Sequence, residues 1–128
     1  VMGTQLMNGI GGSGDFIRNG ALTMMVTPST AKGGLISAIV PMVSHVDHSE
    51  HSVDVIVTEY GLVAARPLTP RQVAEQVIRK CAHPDFRDQL WDYFQRAVRE
   101  RGGHEPHILE KAFFMHQLFM EKGDMRIR

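Results

Sequence analysis

A single cysteine, Cys81, stands in 128 residues, so no disulfide framework can staple this chain. No apolar run approaches the roughly 18 to 20 residues that a membrane-crossing helix needs, and the first residues lack a basic-then-apolar leader. An excess of one charge sign is missing too: 14 Lys and Arg balance 14 Asp and Glu. Without a basic stripe there is no electrostatic footprint for duplex nucleic acid. The expectation is a soluble, cytoplasmic protein, or a mitochondrial matrix one in a eukaryote, with neither nucleic acid nor membrane among its partners. The initiator methionine is missing as well, since the chain opens on Val1, which suggests a piece cut from something longer.

What is present is apolar side chain, 43% of the total, enough at this length for one core of its own. Six of the twelve glycines fall in residues 1–20. Those at 9, 11, 12 and 14 allow positive φ and close approach of a ligand to main-chain N–H groups. Ser13 or Asp15 is expected to cap a short helix through Phe16, Ile17 and Arg18. Residues 21–27, 35–43 and 53–60 are continuous apolar runs, expected as strands buried on both faces as in parallel sheets. Beyond Gly61 the period changes. Residues 68–83 place Thr69 at an N-cap and Pro70 at the first helical position, with Val73, Val77, Ile78 and Cys81 on one face. Helices are also expected over 85–101 and 107–123, ahead of a polar tail. The layout is α/β, an open and mostly parallel sheet followed by three helices, and it needs more cover than the chain supplies.

Several places could carry chemistry. Successive N–H groups in the loop at 8–16 could hold a phosphate or an oxyanion; the alternative is a loop required only by packing. Lys32, set among Ala31, Gly33 and Gly34, suits a phosphate or carboxylate ligand, or is a plain surface lysine. His45, His48 and His51, with Asp47 and Glu50 between them, could hold zinc only if the segment were helical, and a hydrogen-bonded loop fits better. Glu59 ends a strand where α/β sheets meet ligands; the plainer reading pairs it with Arg66 or Arg71. Cys81 and the aromatics from Trp91 to Phe119 belong to packing.

Taken together, MNGIGGSGDFIRN at 7–19, AKGG at 31–34, VPMVSHVDH at 40–48 and VTEYGL at 57–62 resemble the C-terminal part of the acetyl-CoA hydrolase/transferase family. These are class I CoA-transferases, among them succinate:acetate and propionyl-CoA:succinate CoA-transferases. The resemblance implies that residues 1–128 are the C-terminal domain of a CoA-transferase-like fold. It implies no permanently bound cofactor and no metal, with coenzyme A and acyl-CoA as substrates alongside short carboxylates. Transfer would run through a glutamyl-CoA thioester on a glutamate that lies outside this chain. Gly12 matches the oxyanion-hole glycine beside CoA, and Lys32 and Asn8 match CoA-binding residues. The N-terminal half of the same enzyme and a second copy, in a homodimer, would be partners. Acetyl-CoA hydrolysis and a noncatalytic CoA- or nucleotide-binding module are the alternatives. After Gly61 the family's Leu-Ala-Asp-Leu-Arg-Gly becomes LVAARP, so Ala64 removes any role for a carboxylate there.

Overall fold

The computed structural model describes residues 10–127. Helix α1 spans Ser13–Asn19 and leads to strand β1, Met24–Val26. A small hairpin of β2, Thr30–Ala31, and β3, Ile36–Ser37, follows. Strands β4, Val55–Thr58, and β5, Gly61–Ala64, come next, then helices α2, Pro70–Lys80, α3, Pro84–Glu100, and α4, Phe114–Lys122.

The α/β expectation holds, but the sheet is mixed rather than mostly parallel. Its order is β1-β4-β5, with β1 parallel to β4 and β5 antiparallel to it. Only Glu59 and Tyr60 separate β4 from β5, and a two-residue connection forces the chain back on itself. Strand β5 is the element the sequence reading missed. Gly61 opens it because of close approach: a Cβ there would lie 2.9 Å from the carbonyl oxygen of Lys80.

The expected strand over 35–43 shrinks to two residues paired with β2. The Ser37 hydroxyl donates to the Ile39 carbonyl and accepts from the Ile39 N–H. This side-chain turn competes with a sheet ladder, and Pro41 has no N–H to offer one. The Leu35 carbonyl accepts instead from the N–H of Met125.

Helix α2 forms as expected. Thr69 and Gln72 make a reciprocal capping box, with Pro70 at the first position, a cap worth about 1 kcal/mol. Val77, Ile78 and Cys81 are buried by it. Helix α3 starts on Pro84, and Phe86, Leu90, Tyr93 and Ala97 form its buried stripe. The third helix begins later than the periodicity implies, at Phe114. Upstream, Ile108 is extended with its N–H donating to the Tyr93 hydroxyl, and a 3₁₀ turn over Leu109–Lys111 takes the place of the expected first helical turns.

The main core joins Ile36, Ile78, Phe86, Leu90, Met115 and Met125. A second cluster of Val63, Val77 and Cys81 seats the sheet on α2. The C-terminal tail, expected to be merely polar, is therefore part of the core: Met125 is 0% exposed. The Gln89 amide donates to the Met125 carbonyl, and Arg126 pairs with Asp85 and Asp124. Among the described residues no helix is long and apolar enough to cross a membrane.

Candidate functional site

The glycine loop meets α1 at Gly12, the N-cap residue. Gly11 before it has φ +56°, a conformation that costs other L-residues about 1–2 kcal/mol. Gly12 has φ −81° and ψ −1°, so its own backbone does not require glycine. A Cβ there would meet nothing within 4 Å. Neither Ser13 nor Asp15 caps the helix, contrary to expectation. The Ser13 hydroxyl turns back to donate to the Ile10 carbonyl at 2.6 Å and lies 2.9 Å from His48 Nε2, while Asp15 pairs with Arg18. The first N–H groups of α1 thus carry no side-chain cap. Asn8 lies outside the described residues.

Lys32 has φ +48°, and Gly33 and Gly34 follow at +65° and +91°. Three successive left-handed residues make the tight turn expected at AKGG, but Lys32 is the one with a Cβ. Strain of this kind, about 1–3 kcal/mol, persists where surroundings impose it and clusters at functional sites. The Lys32 ammonium stands 5.4 Å from the centroid of the Phe119 ring, which orients an otherwise free stem. Among the described residues no hydrogen bond or ion pair joins Lys32 to Gly12.

Glu59 follows β4, and Ser29 lies just beyond β1, so both stand at the carboxyl end of the one parallel pair, where α/β sheets present ligand-binding groups. Ser29 is 0% exposed. Its N–H and hydroxyl donate to the two Glu59 oxygens at 2.8 and 2.5 Å. These bonds, with the Ser29 hydroxyl foremost, hold the Glu59 pKa below its ordinary value; desolvation opposes them, and the nearby His83 adds a smaller favourable effect. The predicted pairing of Glu59 with Arg66 or Arg71 does not form. Arg66 pairs with Asp54 at 2.8 Å, and the Arg71 guanidinium donates to the Gly103 carbonyl. Asp54 also accepts from the Thr23 N–H and hydroxyl, which ties the start of β1 to that of β4 and lowers the Asp54 pKa. Ser29 is the residue that sequence reasoning overlooked; the only signal was a small polar residue at a strand exit.

The histidines disperse. His45 contacts Asp47 at 3.0 Å, His51 approaches Glu50, and His48 meets Ser13. Among the described residues no group of three His, Cys, Asp or Glu is placed to hold a metal ion. Cys81 is fully buried, and desolvation raises its thiol pKa. A groove of about 540 Å³ runs between Ile39, Val40, Ile56, Val77, Tyr93 and Phe94. It is apolar, and neither Gly12 nor Lys32 lines it.

The family model for the acetyl-CoA hydrolase/transferase C-terminal domain matches residues 1–94. A succinyl-CoA:acetate CoA-transferase of Clostridium kluyveri is 56% identical over 98% of this chain and 23% of its own. A propanoyl-CoA:succinate CoA transferase of Escherichia coli is 52% identical over 98% of this chain and 25% of its own. An acetyl-CoA hydrolase of Candida albicans is 47% identical over 99% of this chain and 26% of its own. The crystal structure of RipA from Yersinia pestis superposes with a TM-score of 0.58 at 37% identity, covering 65% of this chain and 20% of that one. The chain spans about a quarter of the length of the curated relatives it matches.

Proposed function

The chain belongs to the acetyl-CoA hydrolase/transferase family, matching its C-terminal domain, and from that membership we propose that residues 1–128 are one domain of a longer enzyme. That enzyme moves coenzyme A from an acyl-CoA to acetate, propionate or succinate. The observation that carries this reading is the match of nearly the whole chain to CoA-transferases. Acetyl-CoA hydrolysis is the second reading, favoured by the hydrolase of Candida albicans among the relatives.

In the proposed cycle a glutamate outside this chain attacks the thioester carbonyl carbon. The C–S bond breaks, leaving an acyl-glutamyl anhydride and CoA thiolate. The thiolate attacks the glutamyl carbonyl and expels the acyl group as a carboxylate, which yields glutamyl-CoA. An acceptor carboxylate then runs both steps in reverse to give the new acyl-CoA, or water releases CoA and free glutamate. Each attack places negative charge on a carbonyl oxygen, and a preorganised N–H donor there is worth about 3–4 kcal/mol. The Gly12 N–H is the donor in this reading. The Lys32 ammonium and Asn8 hold CoA, through charge and hydrogen bonding respectively. The remaining polypeptide completes the active site, and the enzyme is a cytoplasmic homodimer.

The test is a Gly12→Val variant of the full-length enzyme, assayed with succinyl-CoA and acetate by following acetyl-CoA formation. The added side chain displaces the reacting carbonyl, and kcat/KM is expected to fall by about a hundredfold with an unchanged circular dichroism spectrum. A fully active variant removes Gly12 from the site. Release of free CoA without acetyl-CoA by the unaltered enzyme selects hydrolysis over transfer.

A further inference from the structure

The register of the three-stranded sheet sorts its side chains into two faces. Met25, Ile56 and Val63 are lateral partners, and Ile56 and Val63 pack with Val77 and Cys81 on the helical side. The opposite face holds Met24, Val55 and Ala64 in one row and Val26, Val57 and Leu62 in the next. All six are apolar, yet Met24 is 52% exposed, Val26 69% and Leu62 56%. Upstream of β1, Leu22 and Phe16 are also exposed, at 64% and 82%.

Such a patch is anomalous for a finished surface. An alternating strand of a one-sided sheet turns polar residues outward, and contiguous exposed apolar area marks an interaction site. Here the outward positions of β1, β4 and β5 contain no polar residue. A sheet with a parallel pair is normally covered on both faces, with helices forming the layers. Strand β1 also ends the sheet, and an open edge is a site for further pairing.

We propose that the Met24–Val26–Leu62 face is the docking surface for an apolar helical layer from the polypeptide that precedes this domain in the full-length enzyme. This rests on the reading of the chain as the C-terminal piece of a longer protein. The relatives carry about three times as much polypeptide again, and the matched domain is by description C-terminal. The incoming chain arrives through α1 directly at β1, next to this face. Ser29 and Glu59 lie just beyond the carboxyl ends of β1 and β4, so the layer that covers the face also fixes where those residues stand relative to the rest of the enzyme.

Native methionines report on this without substitution. The full-length enzyme, free of substrate, is treated with hydrogen peroxide and sulfoxide formation is read peptide by peptide. Met115 and Met125, both 0% exposed, calibrate burial, and the urea-unfolded protein supplies the unprotected rate. Met24 is expected to oxidise at least about tenfold more slowly than in the unfolded protein, alongside Met115 and Met125. Oxidation of Met24 at the unfolded rate overturns the proposal. Protection that disappears on dilution also overturns it, since a second copy would then be the cover. Turnover is assayed separately: protection in an inactive enzyme sinks the CoA reading alone, and an active enzyme with freely oxidised Met24 sinks this proposal alone.

Discussion

Ser29, buried at the exit of β1, donates both its N–H and its hydroxyl to the carboxylate of Glu59 at the exit of β4. One residue thereby occupies both oxygens of the other and favours its ionised form, which lowers the Glu59 pKa. Removing the hydroxyl in Ser29→Ala leaves only the N–H, and the Glu59 pKa is expected to rise toward its ordinary 4.5. The folded pKa is depressed, so this interaction stabilises the fold above the ordinary value and is lost as pH falls below it. Carbon-detected NMR titration of Glu59 in both proteins checks this; identical titration curves would show that the hydroxyl does not hold the carboxylate.

Lys32 combines a left-handed backbone with a charged side chain. Asparagine tolerates that conformation better than most residues, so Lys32→Asn separates the two properties. The thermal midpoint is expected to move by less than about 4 °C. Affinity of the full-length enzyme for CoA, measured calorimetrically, is expected to fall about tenfold, the loss of one charge-assisted contact. Unchanged affinity would assign the lysine to the surface.

His116 sits on α4 at 6% exposure, and its Nδ1 has no hydrogen-bond partner among the described residues. The ring packs edge-on against Phe113 at 5.4 Å. Burial lowers its pKa from the ordinary 6.5. Below that value the unfolded chain takes up a proton that the folded chain resists, so stability present above it is lost as pH falls. His116→Leu is expected to flatten the decline in thermal midpoint between about pH 7.5 and about pH 5. Equal slopes would place the acid sensitivity elsewhere.

Met125 contacts the core from the C-terminal tail, between the charged Asp124 and Arg126. Met125→Ala leaves a cavity at a site with 0% exposure and is expected to cost about 2–5 kcal/mol in urea unfolding. A loss below about 1 kcal/mol would mean that the tail docks only marginally.

The sequence by itself determined the elements whose cause is local. Helix α2 needs only Thr69, Pro70 and Gln72 at its start and an apolar face at helical spacing. The glycine loop and the AKGG turn are legible because glycine runs permit backbone conformations that few other residues tolerate. The family was legible because four short motifs occur together in order. Tertiary structure decided what depends on distant partners. Residues 35–43 have the composition of a strand, but Ser37 and Met125 claim the hydrogen bonds a strand would use. Glu59 chose Ser29 over two arginines nearer to it in the chain, because a parallel pair brings the ends of β1 and β4 together. Period and propensity report a residue's neighbours along the chain; the Met125 sulfur that the Ser37 N–H finds 88 residues away, or the apolar face that β1, β4 and β5 build jointly, exists only once distant segments are brought together.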